Sequence, residues 1–138
     1  MLSIKDLKNV KYLTIHTGSG IKAIKTAKKY CGNKKLLGVT TLTSFNQKML
    51  KEIGHTKKIN DLIIHQAKLA KKAGAFAMIC SPHEVKKIKK LSKLPSITPG
   101  IRLPGDQSGD QKRIATPKLN LSKQTCAIDY YCIVISNN

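Results

Sequence analysis

Tryptophan is absent from this chain, and aromatic residues of every kind make up 4% of it. Platforms for single-stranded nucleic acid stack bases on aromatic rings, so that class is excluded. Acid is scarce as well: seven Asp and Glu stand against 26 Lys and Arg, for a formal charge of +19. Paired carboxylates for acid–base work therefore have few places to sit. Arginine occurs only as Arg102 and Arg113. Base readout leans on arginine, so the lysine-borne charge reads as a solvated surface with weak, salt-sensitive affinity for polyanions, nucleic acid included. No run of about 18 apolar residues offers a membrane span. Met1 is followed by LSIKDLKNVK, without the apolar core of a secretory signal, so a cytoplasmic location is expected. Cys31, Cys80, Cys126 and Cys132 lack the C-x2-C spacing of a metal site. Cys80, inside AFAMIC, reads as a core thiol, and disulfides are not expected in that compartment.

What is present is an alternation of two textures over a single domain, residues 1–138. Lys11–His16 is short and β-branched, hence a strand; Gly18 and Gly20 break it, and Ile21–Cys31 is helical, with Ile21, Ile24 and Ala27 on one face. Gly32-Asn33 closes that helix. Leu36–Thr43 is a strand with almost no polar alternation, as in a parallel sheet buried on both faces. Ser44–Ile53 reads as a short helix, stopped by Gly54. Ile59–Ala73 reads as a longer one, with Leu62, Ile63, Ala67, Leu69 and Ala70 as its apolar face and Gly74 as its stop. Ala75–Cys80 is the third strand. Ser81-Pro-His-Glu84 has the S-x-x-E pattern of a capping box with Pro in the first turn, predicting a helix from there to about Leu94. A short strand at Ser96–Thr98, a loop over 98–117, a helix from Thr116-Pro117 and a strand at Tyr130–Ile135 complete the chain. Strand–helix alternation demands parallel strands joined by right-handed crossovers. Both an open doubly wound sheet and a (β/α)8 barrel satisfy it; five strands suit the first and fall short of the second.

In either architecture ligands bind at the carboxyl ends of the strands. Those ends carry His16 with Thr17, Thr43 with Ser44, Cys80 with Ser81, the loop after Thr98, and Ser136 with Asn137. Strand ends are polar in any case, because loops are solvated. The loop TPGIRLPGDQSGDQKR (Thr98–Arg113) says more, since it gathers both arginines among glycines. Glycines let backbone amides approach an anion, and Arg offers a bidentate fork to phosphate.

VTTLTS (Val39–Ser44), ICSPHEV (Ile79–Val85), TPGIRLPGDQSGDQKR and IATP (Ile114–Pro117) follow one another in order, after IHTGSG (Ile15–Gly20). Together they resemble the second half of bacterial orotidine 5′-phosphate decarboxylases. The resemblance runs from about Val10 to Pro117, and more loosely to Ile135. It implies an α/β fold that is an incomplete (β/α)8 TIM barrel, about the last five βα units with parallel strands. Thr43 would contact the pyrimidine ring, and Arg102 and Gln111 would grip the 5′-phosphate. His16 matches the histidine closing the family's fourth strand, where a packing role is the commoner one. The implied ligand is orotidine or uridine monophosphate, and the implied reaction, loss of CO2 from orotidine monophosphate in pyrimidine biosynthesis, uses no cofactor and no metal.

In that family a Lys flanked by carboxylates carries the chemistry in a D-x-K-x-x-D motif, one carboxylate crossing from a partner subunit. This sequence offers only Asp6-Leu-Lys8, with Lys11 where the second Asp would stand. Ser136-Asn137 stands where the family closes its eighth strand with Gly-Arg. No catalytic residue is assigned, and a truncated relative without activity by itself is expected. Two alternatives stay open: the C-terminal subunit of a split decarboxylase, completed by an N-terminal chain or working as a homodimer, and a non-catalytic module binding phosphate, nucleotide or polyanion.

Overall fold

The computed structural model describes residues 8–42 and 44–99. They form β1 (Tyr12–His16), a 3-10 turn (Thr17–Ser19), α1 (Gly20–Tyr30), β2 (Lys35–Val39), α2 (Gln47–Glu52), α3 (Ile59–Lys72), β3 (Ala77–Ile79), α4 (Val85–Ser92) and β4 (Ser96–Ile97). The loop over 98–117, its following helix and the strand at 130–135 fall outside the described residues, apart from Thr98 and Pro99.

The strands are parallel and lie in the order β1-β2-β3-β4. That order separates the two architectures left open by the alternation. A doubly wound sheet reverses its strand order and so carries helices on both faces. Right-handed crossovers that never reverse put every helix on one face, as in a barrel wall. The helices accordingly touch one another, α1 against α3 and α3 against α4. The outer face of the sheet meets them through two clusters. Leu13 and Leu36 pack with Ile24, Cys31 and Ala73. Met78 and Cys80 pack with Ile63, Ala67 and Ala70 of α3 and with Val85 and Ile88 of α4. Burying each such aliphatic side chain contributes about 1.5–3 kcal/mol. The helices' outward positions carry lysine, with Asp61 the only acid among α1, α3 and α4.

The other face is apolar as well: Leu37 and Val39, Ala77 and Ile79, with Ile97 beside them. Register aligns Thr14 with Leu37 and Ala77, then His16 with Val39, Ile79 and Ile97. Such rows of inward side chains are the layers that fill a barrel. Both faces of β2 and β3 are thus buried, which is why their sequences show no alternation. At the amino end of the sheet the Lys35 ammonium lies 4.2 Å from the Phe76 ring centre and 6.0 Å from that of Tyr12. A cation over two ring faces shields part of two half-exposed aromatics there.

Several boundaries differ from those expected. β2 stops at Val39 rather than Thr43: Thr40 N–H still bonds across to the Ile79 carbonyl, but Thr41 N–H turns to the Gln66 side chain. α2 starts at Gln47 rather than Ser44: Phe45 N–H closes a turn on the Leu42 carbonyl, and the Asn46 side chain accepts from Met49 N–H at 3.0 Å. Asn46 is therefore the cap. Asn46→Ala should cost about 1 kcal/mol, read as a lower urea midpoint at unchanged slope; an unmoved midpoint would show the cap to be dispensable. β3 is Ala77–Ile79, shorter at both ends than expected. The S-x-x-E bonds form, but around a turn. Glu84 Oε2 accepts from Ser81 N–H at 3.1 Å and Ser81 Oγ accepts from His83 N–H at 3.4 Å, while α4 begins at Val85. α4 also ends early, at Ser92. Its hydroxyl donates back to the Ile88 carbonyl and accepts from Leu94 N–H, and Lys93 takes a left-handed φ of 60°. Gly32 closes α1 with φ of 61°, as expected of a left-handed cap. Cys80 is buried in the core, as expected. Among the described residues no helix is long and apolar enough to cross a membrane.

Candidate ligand face

The carboxyl ends of the four strands lie side by side, so the residues just after them form one rim. The hydroxyls of Thr17 and Thr40 do not point at solvent. Thr17 is wholly buried, and its Oγ1 donates to the Val39 carbonyl at 2.8 Å. Thr40 sends its N–H to the Ile79 carbonyl at 3.0 Å and its Oγ1–H to the same oxygen at 3.2 Å. Cys80 N–H donates to the Ile97 carbonyl at 3.1 Å. Ser81 and Thr98 are buried too. These groups stitch neighbouring strand ends together past the last ladder bond. The polar character of the rim, as sequence, was equally compatible with ligand binding and with solvated loop starts. Thr17 and Thr40 do neither: they satisfy buried carbonyls, as groups out of reach of water require.

His16 ends β1 with an exposed side chain on the inner row, and its carbonyl accepts from Ser19 Oγ at 2.6 Å. The residues expected to hold a ligand, Thr43, Arg102 and Gln111, lie outside the described residues. What is described is the frame leading to two of these stretches: Thr41-Leu42 ahead of position 43, and β4 with Thr98-Pro99 ahead of the glycine-rich loop. A cavity of about 260 Å³ opens between α3 and α4, lined by Ile59, Ile63, His83, Glu84 and Lys87 among others. Its described lining comes from α3, from α4 and from the turn before α4.

Sequence reasoning missed one residue that reaches the rim. Gln66 is buried at 7% exposure on the inner side of α3. Its Oε1 accepts from Thr41 N–H at 2.9 Å and from Thr41 Oγ1 at 3.2 Å. The signal was there: Gln66 falls on the stripe of Leu62, Ile63, Ala67 and Ala70, where an amide needs a partner. The sequence did not say which partner.

A family model described as orotidine 5′-phosphate decarboxylase / HUMPS family matches residues 2–128. The chain belongs to that family. The motifs from IHTGSG to IATP thus carry a true relationship. Among relatives, an orotidine 5′-phosphate decarboxylase of Buchnera aphidicola subsp. Schizaphis graminum is 40% identical over 127 residues, 88% of this chain and 52% of the relative. One from Bacillus anthracis is 37% identical over 129 residues, 86% of this chain and 54% of the relative. The crystal structure of orotidine 5′-phosphate decarboxylase from Lactobacillus acidophilus superposes with a TM-score of 0.70 at 34% identity, covering 85% of this chain and 52% of that one. An uncharacterized conserved protein from Geobacillus kaustophilus superposes with a TM-score of 0.69 at 20% identity, a likeness of fold alone. The chain spans about half the length of the curated relatives it matches. Its α/β sheet is a part of a decarboxylase-family barrel, and the doubly wound alternative falls away.

Proposed function

We propose that these 138 residues are the phosphate- and pyrimidine-binding part of an orotidine 5′-phosphate decarboxylase, a stretch that does not turn substrate over by itself. Family membership over residues 2–128 carries the reading. Thr43, Arg102 and Gln111 supply the ligand contacts, Thr43 to the pyrimidine ring and the loop pair to the 5′-phosphate. The chemistry of decarboxylation asks for carboxylates that destabilise the substrate carboxylate and fix a lysine, and for that lysine to protonate the carbon left behind. The sequence holds no D-x-K-x-x-D, and Asp6-Leu-Lys8 is followed by Lys11 in place of the second acid. Binding and catalysis are separable here because they draw on different strands. Ser136-Asn137 in place of Gly-Arg leaves the phosphate grip on the loop alone, so a weak site is expected.

Titration calorimetry with uridine monophosphate tests this. The native chain should bind, and Arg102→Ala should weaken binding roughly ten- to a hundredfold, the loss of a charge-assisted hydrogen bond to phosphate. Lys25→Ala, on the outward face of α1, is the matched control for loss of one positive charge. No binding by the native chain, or equal losses in the two variants, would sink the ligand assignment.

A further inference from the structure

We propose that Gln66 is a positioning residue, a buried amide on α3 that fixes the strand-end segment 39–42 and through it the pyrimidine contact at position 43. The proposal rests on the ligand reading given above for Thr43. Three consecutive residues at the end of β2 are each held by a different element. The Val39 carbonyl takes the Thr17 hydroxyl from the turn after β1. Thr40 bonds twice to the Ile79 carbonyl of β3. Thr41 bonds twice to the Gln66 side chain of α3, at 2.9 and 3.2 Å. The first two tethers join β2 to the turn after β1 and to β3, and would hold any sheet of this shape together. The third is different in kind. It places a side-chain amide on an otherwise apolar helix stripe, at the cost of desolvating it, and returns its bonds to the rim instead of to a neighbouring helix. A leucine at position 66 would serve the core equally well. The amide makes sense if the backbone at 41 must hold one conformation after the strand ladder has ended. An oriented contact loses strength when its backbone support is free to move.

The test compares Gln66→Leu, which removes the acceptor, with Gln66→Glu, which keeps an acceptor oxygen at the same reach. Amide hydrogen exchange in the free protein should show Thr41 N–H about tenfold faster in the leucine variant and within about twofold of native in the glutamate variant. The β3 amides should not change in either. In ligand titrations the leucine variant should lose about tenfold in affinity for uridine monophosphate and less than about twofold for ribose 5-phosphate, which lacks the ring. Thr41→Val, at a partly exposed site, removes the hydroxyl's bond to Gln66 and keeps the N–H bond, and should move both readouts in the same direction by a smaller factor, so the idea stays testable if the leucine variant fails to fold. Unchanged Thr41 exchange in the leucine and valine variants overturns the proposal. So does an equal loss of affinity for both ligands, which would mark Gln66 as a general core residue. A native chain that binds neither ligand defeats the ligand reading instead, and the exchange result still decides whether Gln66 holds the segment.

Discussion

Mixing this chain with the first half of a relative, the half carrying D-x-K-x-x-D, is expected to produce decarboxylation that neither part shows alone. The reasoning is structural. β1 and β4 each have one strand neighbour among the described residues, so among these residues each has a second edge that another strand can pair. A barrel wall of parallel strands closes by pairing such edges. The relatives are about twice as long as the matched stretch, so a half-length fragment has the right extent to do so. Turnover in the mixture need not be high to be decisive. A hybrid working a thousandfold below the enzyme median of about 10 s⁻¹ would still run at about 0.01 s⁻¹, well clear of an uncatalysed background. Changing the fragment's motif lysine should abolish the rate. Two results would count against the proposed function: turnover by this chain alone, or a folded, associated mixture with no rate at all.

The second large effect is expected at Gly38, on the outer face of β2. A Cβ there would stand 3.0 Å from Thr17 Cγ2, 3.1 Å from Ala70 Cβ and 3.1 Å from Met78 Sδ. The backbone angle is ordinary, so the requirement is for space and not for glycine's conformational freedom. Three elements meet over that one hydrogen: the turn after β1, helix α3 and strand β3. Gly38→Ala should cost about 1–3 kcal/mol through overpacking, and Gly38→Val more, to the point of a chain that does not fold. Gly18→Ala is the control. Nothing lies within 4 Å of a Cβ at that position, so its cost should stay within about 0.5 kcal/mol. Urea melts of the three variants check the order; an alanine at 38 as mild as one at 18 would mean that α3 can ride outward. Crowding Thr17 also strains its bond to the Val39 carbonyl, so loss of ligand affinity should accompany the loss of stability.

Local chemistry made part of this legible in the sequence. Helices α1 and α3 follow from apolar spacing, with Gly32 and Gly74 as stops, because their boundaries depend on nearby residues. The parallel arrangement follows from alternation, and the inner and outer rows from strands without polar positions. Other boundaries depended on tertiary partners. Val39-Thr-Thr-Leu-Thr reads as continuous strand by β-branching, yet the strand stops short and Thr41 N–H turns to Gln66, a residue far along the chain. Ser81 and Glu84 have the spacing of a helix cap, yet the box closes around a turn, with Glu84 buried and its carbonyl accepting from Ile88 N–H. The barrel itself was not legible from periodicity: four or five alternations fit either architecture, and only the pairing order tells them apart.

That pairing order also bears on how the chain is made. Each described strand after β1 lies beside the described strand synthesised just before it, and among these four none has to be held open for a later one to slip between. A ribosome delivers the amino end first, at about 5–20 residues per second. The sheet can therefore be laid down one strand at a time in the order of translation, with the growing edge always the newest strand.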